Sequence, residues 1–147
     1  MESLNLIFKE AKYLDKVSNI NGINLGELSN GSKHQLVFTV ENKGLESLYI
    51  TGIKAGCSSC TQVRTVLPDR LVVGNSTKVG KILHVGEVFD IVADFSPVNF
   101  NKGKVVKNIT VSYNMLTLVE NADKFTDKTI IDTKSKSLVL QFNAEIV

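Results

Sequence analysis

The chain has 147 residues, 43% hydrophobic and 22% charged, with a net charge of +2; this fits one globular domain able to bury its own core. The 17 basic residues are dispersed among acidic ones and only Arg64 and Arg70 are arginines. That leaves no clustered phosphate-neutralising surface and argues against nucleic-acid binding.

At the start, Met1-Glu2-Ser3-Leu4 lacks the basic-then-apolar pattern of a secretory signal. No apolar run reaches the roughly 20 residues of a membrane span. The expectation is a soluble protein made in the cytoplasm, in which the two cysteines need not be paired. Period-two alternation then dominates. Leu4, Leu6 and Phe8 share one face of a short strand, and Leu36, Phe38 and Val40 share that of a second. Val88, Ile91, Ala93 and Phe95 form a third, less regular run, and Val105, Ile109, Val111 and Tyr113 a fourth. Leu138, Leu140, Phe142, Ala144 and Ile146 give the cleanest alternation. Asn30-Gly31, Asn42-Lys43-Gly44, Gly74-Asn75 and Asn101-Lys102-Gly103 punctuate the runs as turns. One helix is conceivable, over residues 9–17, through Ala11, Leu14 and Val17.

About seven short strands so separated predict an all-β, immunoglobulin-like antiparallel β-sandwich. It occupies residues 1–147 as one domain, with an N-terminal arm over 1–20 and two insertions, 64–86 and 115–137. The first insertion holds Pro68 and three glycines and suits an extra hairpin; the second is polar and suits a long loop or ribbon.

Ile23-Asn24-Leu25-Gly26-Glu27-Leu28, Gly31, and Leu36-Val37-Phe38-Thr39-Val40-Glu41-Asn42-Lys43-Gly44 run strand, glycine turn, strand, Asn-x-Gly. Leu48-Tyr49-Ile50-Thr51-Gly52-Ile53 and the cysteine motif Cys57-Ser58-Ser59-Cys60 follow. This pattern resembles the ASH and major-sperm-protein-like modules and a related bacterial family of unknown function. The cysteines of those relatives are usually one residue apart rather than two, and the bacterial members usually carry an export signal. The resemblance implies a seven-stranded sandwich serving as a passive interaction module, without enzyme activity.

A redox Cys57-x-x-Cys60 would sit at a helix N-terminus, where the dipole lowers the thiol pKa; here strands flank it on both sides. As a metal site it needs two more ligands, and His34 and His84 have no finger-like spacing to it. The segment from Gly74 to Lys81 misses the phosphate-loop spacing and has Ile82 in place of the Ser or Thr that would hold magnesium. Asp123, Asp127 and Asp132 lack the pattern of a calcium loop. No Gly-x-Ser-x-Gly surrounds any serine. The expectation is therefore no enzyme, no catalytic residue, no cofactor, no metal and no small-molecule substrate.

A surface-type sandwich without an export signal resembles, in architecture, the Ig-like decorations of tailed-phage virions. The leading expectation is an auxiliary capsid subunit on the virion surface, binding the major capsid protein through the arm and insertions. Tyr13, Phe100 and Phe125 are the candidate aromatic anchors, with Phe8 better explained by packing. The alternatives are a cellular ASH-like protein-interaction module of the bacterial cytoplasm or periplasm, and third a CxxC redox protein.

Overall fold

The computed structural model describes residues 5–56, 60–66, 72–74, 80–117 and 130–147, with 72–74, 116–117 and 130–134 described through their backbone alone. Among the described residues eleven strands are seen: β1 (Leu6–Tyr13), β2 (Lys16–Ser18), β3 (Ile23–Leu28), β4 (His34–Asn42), β5 (Leu48–Ala55), β6 (Thr61–Val66), β7 (Val72–Gly74), β8 (Lys81–Leu83), β9 (Val88–Phe95), β10 (Gly103–Thr117) and β11 (Ile130–Ile146). They form two sheets, ordered β2-β1-β4-β9-β6-β7 and β3-β11-β10-β5-β8. All pairings are antiparallel except β3 with β11, which is parallel. The arrangement is an immunoglobulin-like sandwich.

Alternation explains which faces meet. Leu36, Phe38 and Val40 of β4 point inward, as do Phe89, Ile91, Ala93 and Phe95 of β9. From the second sheet come Ile109, Val111 and Tyr113 of β10 and Leu140, Phe142, Ala144 and Ile146 of β11. The Phe142 ring stands edge-on to Phe95, 5.1 Å between centroids, and 6.4 Å from Phe38. One β11 side chain thus bridges two strands of the opposite sheet, in the geometry that aromatic quadrupoles favour.

Several expectations need correction. The third run keeps a regular phase once Phe89 rather than Val88 is taken as inward; Val88 is exposed. Residues 9–17 form no helix. The stretch read as an arm supplies β1 and β2 to the first sheet, with a register shift between Phe8 and Glu10 that turns Ala11 and Tyr13 inward. The Ala11, Leu14, Val17 spacing misled because Leu14 sits in the turn between two strands. In the first insertion β6 and β7 form a hairpin, and β8 crosses to pair with β5. The second begins and ends as ribbon, since β10 and β11 stay paired to Thr117 and Ile130.

Asn42-Lys43-Gly44 is more than a turn. Asn42 is fully buried. Its Nδ2 donates to the Glu46 carbonyl at 2.9 Å and the Leu83 carbonyl at 3.1 Å, and its Oδ1 accepts from the Gly44 amide at 3.0 Å. Its backbone amide donates to the Glu87 carbonyl, and its carbonyl accepts from the Gly86 amide. One side chain thereby fastens the end of β4 to the end of β8 in the other sheet. At the Asn30-Gly31 turn, Gly31 adopts φ 88° and its amide donates to the Pro97 carbonyl.

Candidate functional site

The site lies where β1 turns into β2 and β4 begins. Tyr13 and Lys16 pair across a two-residue loop, Leu14-Asp15. Leu14 has φ 55°. The primed turns that suit a two-residue hairpin have positive φ at this first central position, which favours glycine or asparagine. A leucine in the left-handed region is strained by about 1–2 kcal/mol. Yet its side chain is 83% exposed, so no burial repays that strain within the domain. Val17 at 59% and Ile20 at 80% are exposed close by. Three large apolar side chains within seven residues at a sheet edge are thus left in water, and exposed apolar groups of this kind are candidates for an interaction surface.

Behind Leu14 the strand ends open into two grooves that share Lys33, His34 and Gln35. One, of about 350 Å³, is also walled by Lys12, Tyr13, Leu14 and Val37. The other, of about 360 Å³, is walled by Cys60, Gln62, Asp94, Phe95 and Ser96. His34 stands between them. Ser32 Oγ donates to the Ser29 carbonyl at 2.5 Å, and so it accepts from His34 Nε2–H at 2.7 Å. That leaves His34 Nδ1 as the acceptor for the Tyr13 hydroxyl at 2.8 Å. This bond order assigns a neutral imidazole protonated on Nε2. Burial also holds the His34 pKa below its ordinary 6.5.

The electrostatics are mixed but organised. Lys12 lies 3.9 Å from Glu10, and Lys16 Nζ donates to the Asn24 carbonyl at 3.4 Å. Lys33 has no ion-pair partner among the described residues. Asp94 is held by Arg64 at 3.2 Å and by Gln35 Nε2 at 3.0 Å. The open charge at the groove is therefore cationic.

The aromatic candidates are placed as follows. Tyr13 is buried, its hydroxyl spent on His34. Phe100 is half-buried against Phe95 at 6.1 Å, with Lys107 Nζ 4.9 Å above its ring centre. Asn30 brackets the Phe100 backbone with two hydrogen bonds. Phe8 packs on the core. Phe125 lies outside the described residues. The large side chains exposed around the β1–β2 turn are aliphatic, Leu14, Val17 and Ile20, and the sequence clue to the first is Leu-Asp where a two-residue hairpin favours Gly.

Cys60 is disulfide-bonded and buried, with Sγ 3.6 Å from Thr61 Oγ1. Cys57, the chain's other cysteine, lies outside the described residues. Strand β6 begins immediately after Cys60. Among the described residues no three His, Cys, Asp or Glu side chains converge as a metal site.

A family model for the HYDIN/CFA65/VesB-like Ig-like domain matches residues 17–123. No curated protein matches the chain in sequence. Among solved structures, the chain is similar to an ASH/PapD-like domain of human CEP192 (PapD-like domain 7), with TM-score 0.52 and 10% identity. That likeness covers 99% of this chain and 87% of the other. It is also similar to part of a family 123 glycoside hydrolase from Clostridium perfringens, with TM-score 0.52 and 9% identity. There 88% of this chain corresponds to 23% of the hydrolase. At such identities the two likenesses show the fold alone.

Proposed function

The chain belongs to the HYDIN/CFA65/VesB-like Ig-like domain family, and from that premise we propose that it is a protein-interaction module that works by docking and carries no catalysis of its own. Neither the family nor the structural likeness points to a capsid. The cellular ASH-like reading is therefore favoured over the virion decoration subunit.

The observation that carries the proposal is Leu14, a strained residue whose side chain the domain itself does not use. Strain kept at a surface position is accounted for by a contact made only in a complex. The docking face is the β1–β2 hairpin with the adjoining Lys12–Lys33–His34 groove. Its occupant is a partner protein presenting an aliphatic side chain beside a carboxylate: the first covers Leu14, Val17 and Ile20, and the second meets Lys33. Apolar anchors supply most of the affinity in such contacts, while the rim charge sets orientation. The disulfide at Cys60 supports work in an oxidising compartment such as the periplasm; free thiol at Cys60 in protein isolated from its own cells would contradict that location.

Replacing Ile20 by a photo-crosslinking residue in those cells tests the docking face. The expected product is one dominant adduct, lost in Leu14→Asp and weakened in Lys33→Glu, with a partner carboxylate→Lys exchange restoring the Lys33→Glu complex. Equal adducts in wild type and Leu14→Asp, or no adduct at all, would overturn the proposal.

A further inference from the structure

One lateral side of the sandwich is closed over only part of its length. On the first sheet β2 pairs with β1 at Ala11, Lys12 and Tyr13 alone. Leu6 to Glu10 therefore have β4 on one side and none of the described strands on the other. On the second sheet β3 pairs with β11 from Phe142 onward, whereas β10 follows the opposite edge of β11 back through Leu138 to Ser135. The two gaps coincide. Tyr113 lies opposite Lys136 in register, and its hydroxyl is hydrogen-bonded by the Leu6 backbone and the Asn5 side chain at the start of β1. Phe8 and Leu138, one from each sheet, pack on the core yet stay half-buried.

Asn21 marks where the gap in the second sheet begins. Its Nδ2 donates to the Val139 carbonyl at 2.6 Å and its Oδ1 accepts from the Gln141 amide at 3.2 Å, so one side chain stands in for a neighbouring strand. Along a paired strand a residue's N–H and C=O share one edge, and every second residue repeats the direction. The Val139 carbonyl and Gln141 amide thus fix the direction of Ser137 and Ser135. Their N–H and C=O groups point into the gap, where none of the described strands meets them.

We propose that an extended segment of a partner protein adds to this edge, antiparallel to β11 along Ser135 to Val139, and that it carries an apolar residue two positions before a carboxylate. Open N–H and C=O groups at every second residue are matched by an extended chain, which supplies the same pattern. Side chains of the added strand alternate in step with those of β11. The residue across from Leu138 points inward and covers it together with Phe8. Two positions on, the residue across from Lys136 also points inward. Lys136 is exposed and makes no ion pair among the described residues. An inward lysine on an open edge rejects an indiscriminate apolar strand and selects a carboxylate. A second copy of β11 is a poor occupant. Centred on Ser137 it sets Lys136 against Leu138 twice, and its continuation runs into β3 at Phe142; centred on Lys136 it sets like charges together. The edge is separate from the hairpin docking face, and the proposal does not rest on that face.

Selecting a displayed library of random heptapeptides on the full chain tests this. The expected consensus is apolar-x-Asp/Glu, and a selected peptide should slow amide hydrogen exchange at Ser135, Ser137 and Val139. Lys136→Glu should turn the consensus to apolar-x-Lys/Arg. Ser137→Pro should weaken the selected peptide at least about tenfold by removing one strand hydrogen bond. Its melting temperature should stay that of the wild type, because an open edge tolerates proline. No enriched consensus would overturn the proposal, and so would protection at Leu14 to Ile20 instead, which would leave the hairpin docking face standing. A large fall in melting temperature in Ser137→Pro would also overturn it, by showing that this amide is already bonded within the chain. Dimerisation of the free chain that is lost in Ser137→Pro would assign the edge to a second copy and overturn the partner strand.

Discussion

The Tyr13 hydroxyl donates to His34 Nδ1 across 2.8 Å, tying the last residue of β1 to the first of β4 where the two grooves meet. Protonating Nδ1 turns it from acceptor to donor, so the hydroxyl must rotate and accept instead. Burial lowers the His34 pKa in the folded chain below the unfolded 6.5. The unfolded state therefore binds the proton first, and the stabilisation is complete above about pH 6.5 and is lost as pH falls through the folded value. Urea midpoints measured between about pH 7.5 and 5 should decline, and the decline should flatten in His34→Gln. Equal slopes in both proteins would show that His34 does not contribute.

Leu14→Gly should stabilise the isolated domain by about 1 kcal/mol, because glycine occupies positive φ without the Cβ clash. The same change should weaken partner capture. Thermal melts and crosslinking yield would then move in opposite directions, as expected where strain is kept for function. A lower melting temperature in Leu14→Gly would mean that the leucine supports the fold instead.

Asn42→Ala should cost about 2–4 kcal/mol, since it strands the buried Leu83 carbonyl and Gly44 amide and removes the half-buried bond to the Glu46 carbonyl. Asn42→Asp should be no milder: it keeps the acceptor for Gly44 but faces two carbonyls with a carboxylate. Chemical denaturation of both variants checks this, and a loss under about 0.5 kcal/mol in either would place the burden elsewhere.

Phe142→Ala should cost about 3–5 kcal/mol by opening a cavity between the sheets. Phe142→Leu should recover about half of that, because volume returns without the edge-on contact to Phe95 and the tilted contact to Phe38. Calorimetric unfolding of the pair distinguishes packing volume from aromatic geometry.

The sequence by itself determined the sandwich, because each buried strand carries its own period-two record. Leu36-Phe38-Val40 and Leu138 to Ile146 can bury only one face, whatever their neighbours are. It also placed the Asn30-Gly31 and Asn42-Lys43-Gly44 turns, since Gly31 announces the backbone it permits, while Asn75 of the Gly74-Asn75 turn lies outside the described residues. Tertiary structure alone decided what cannot be read locally. Asn42 looked like any turn asparagine until β8 arrived from the other sheet to take its second hydrogen bond. Leu14 and Val17 looked like one face of a helix until β1 paired with β2 and left both in water. Periodicity is a property of one strand, whereas a site is made from residues that long-range pairing brings together, and that pairing leaves no mark on either segment alone.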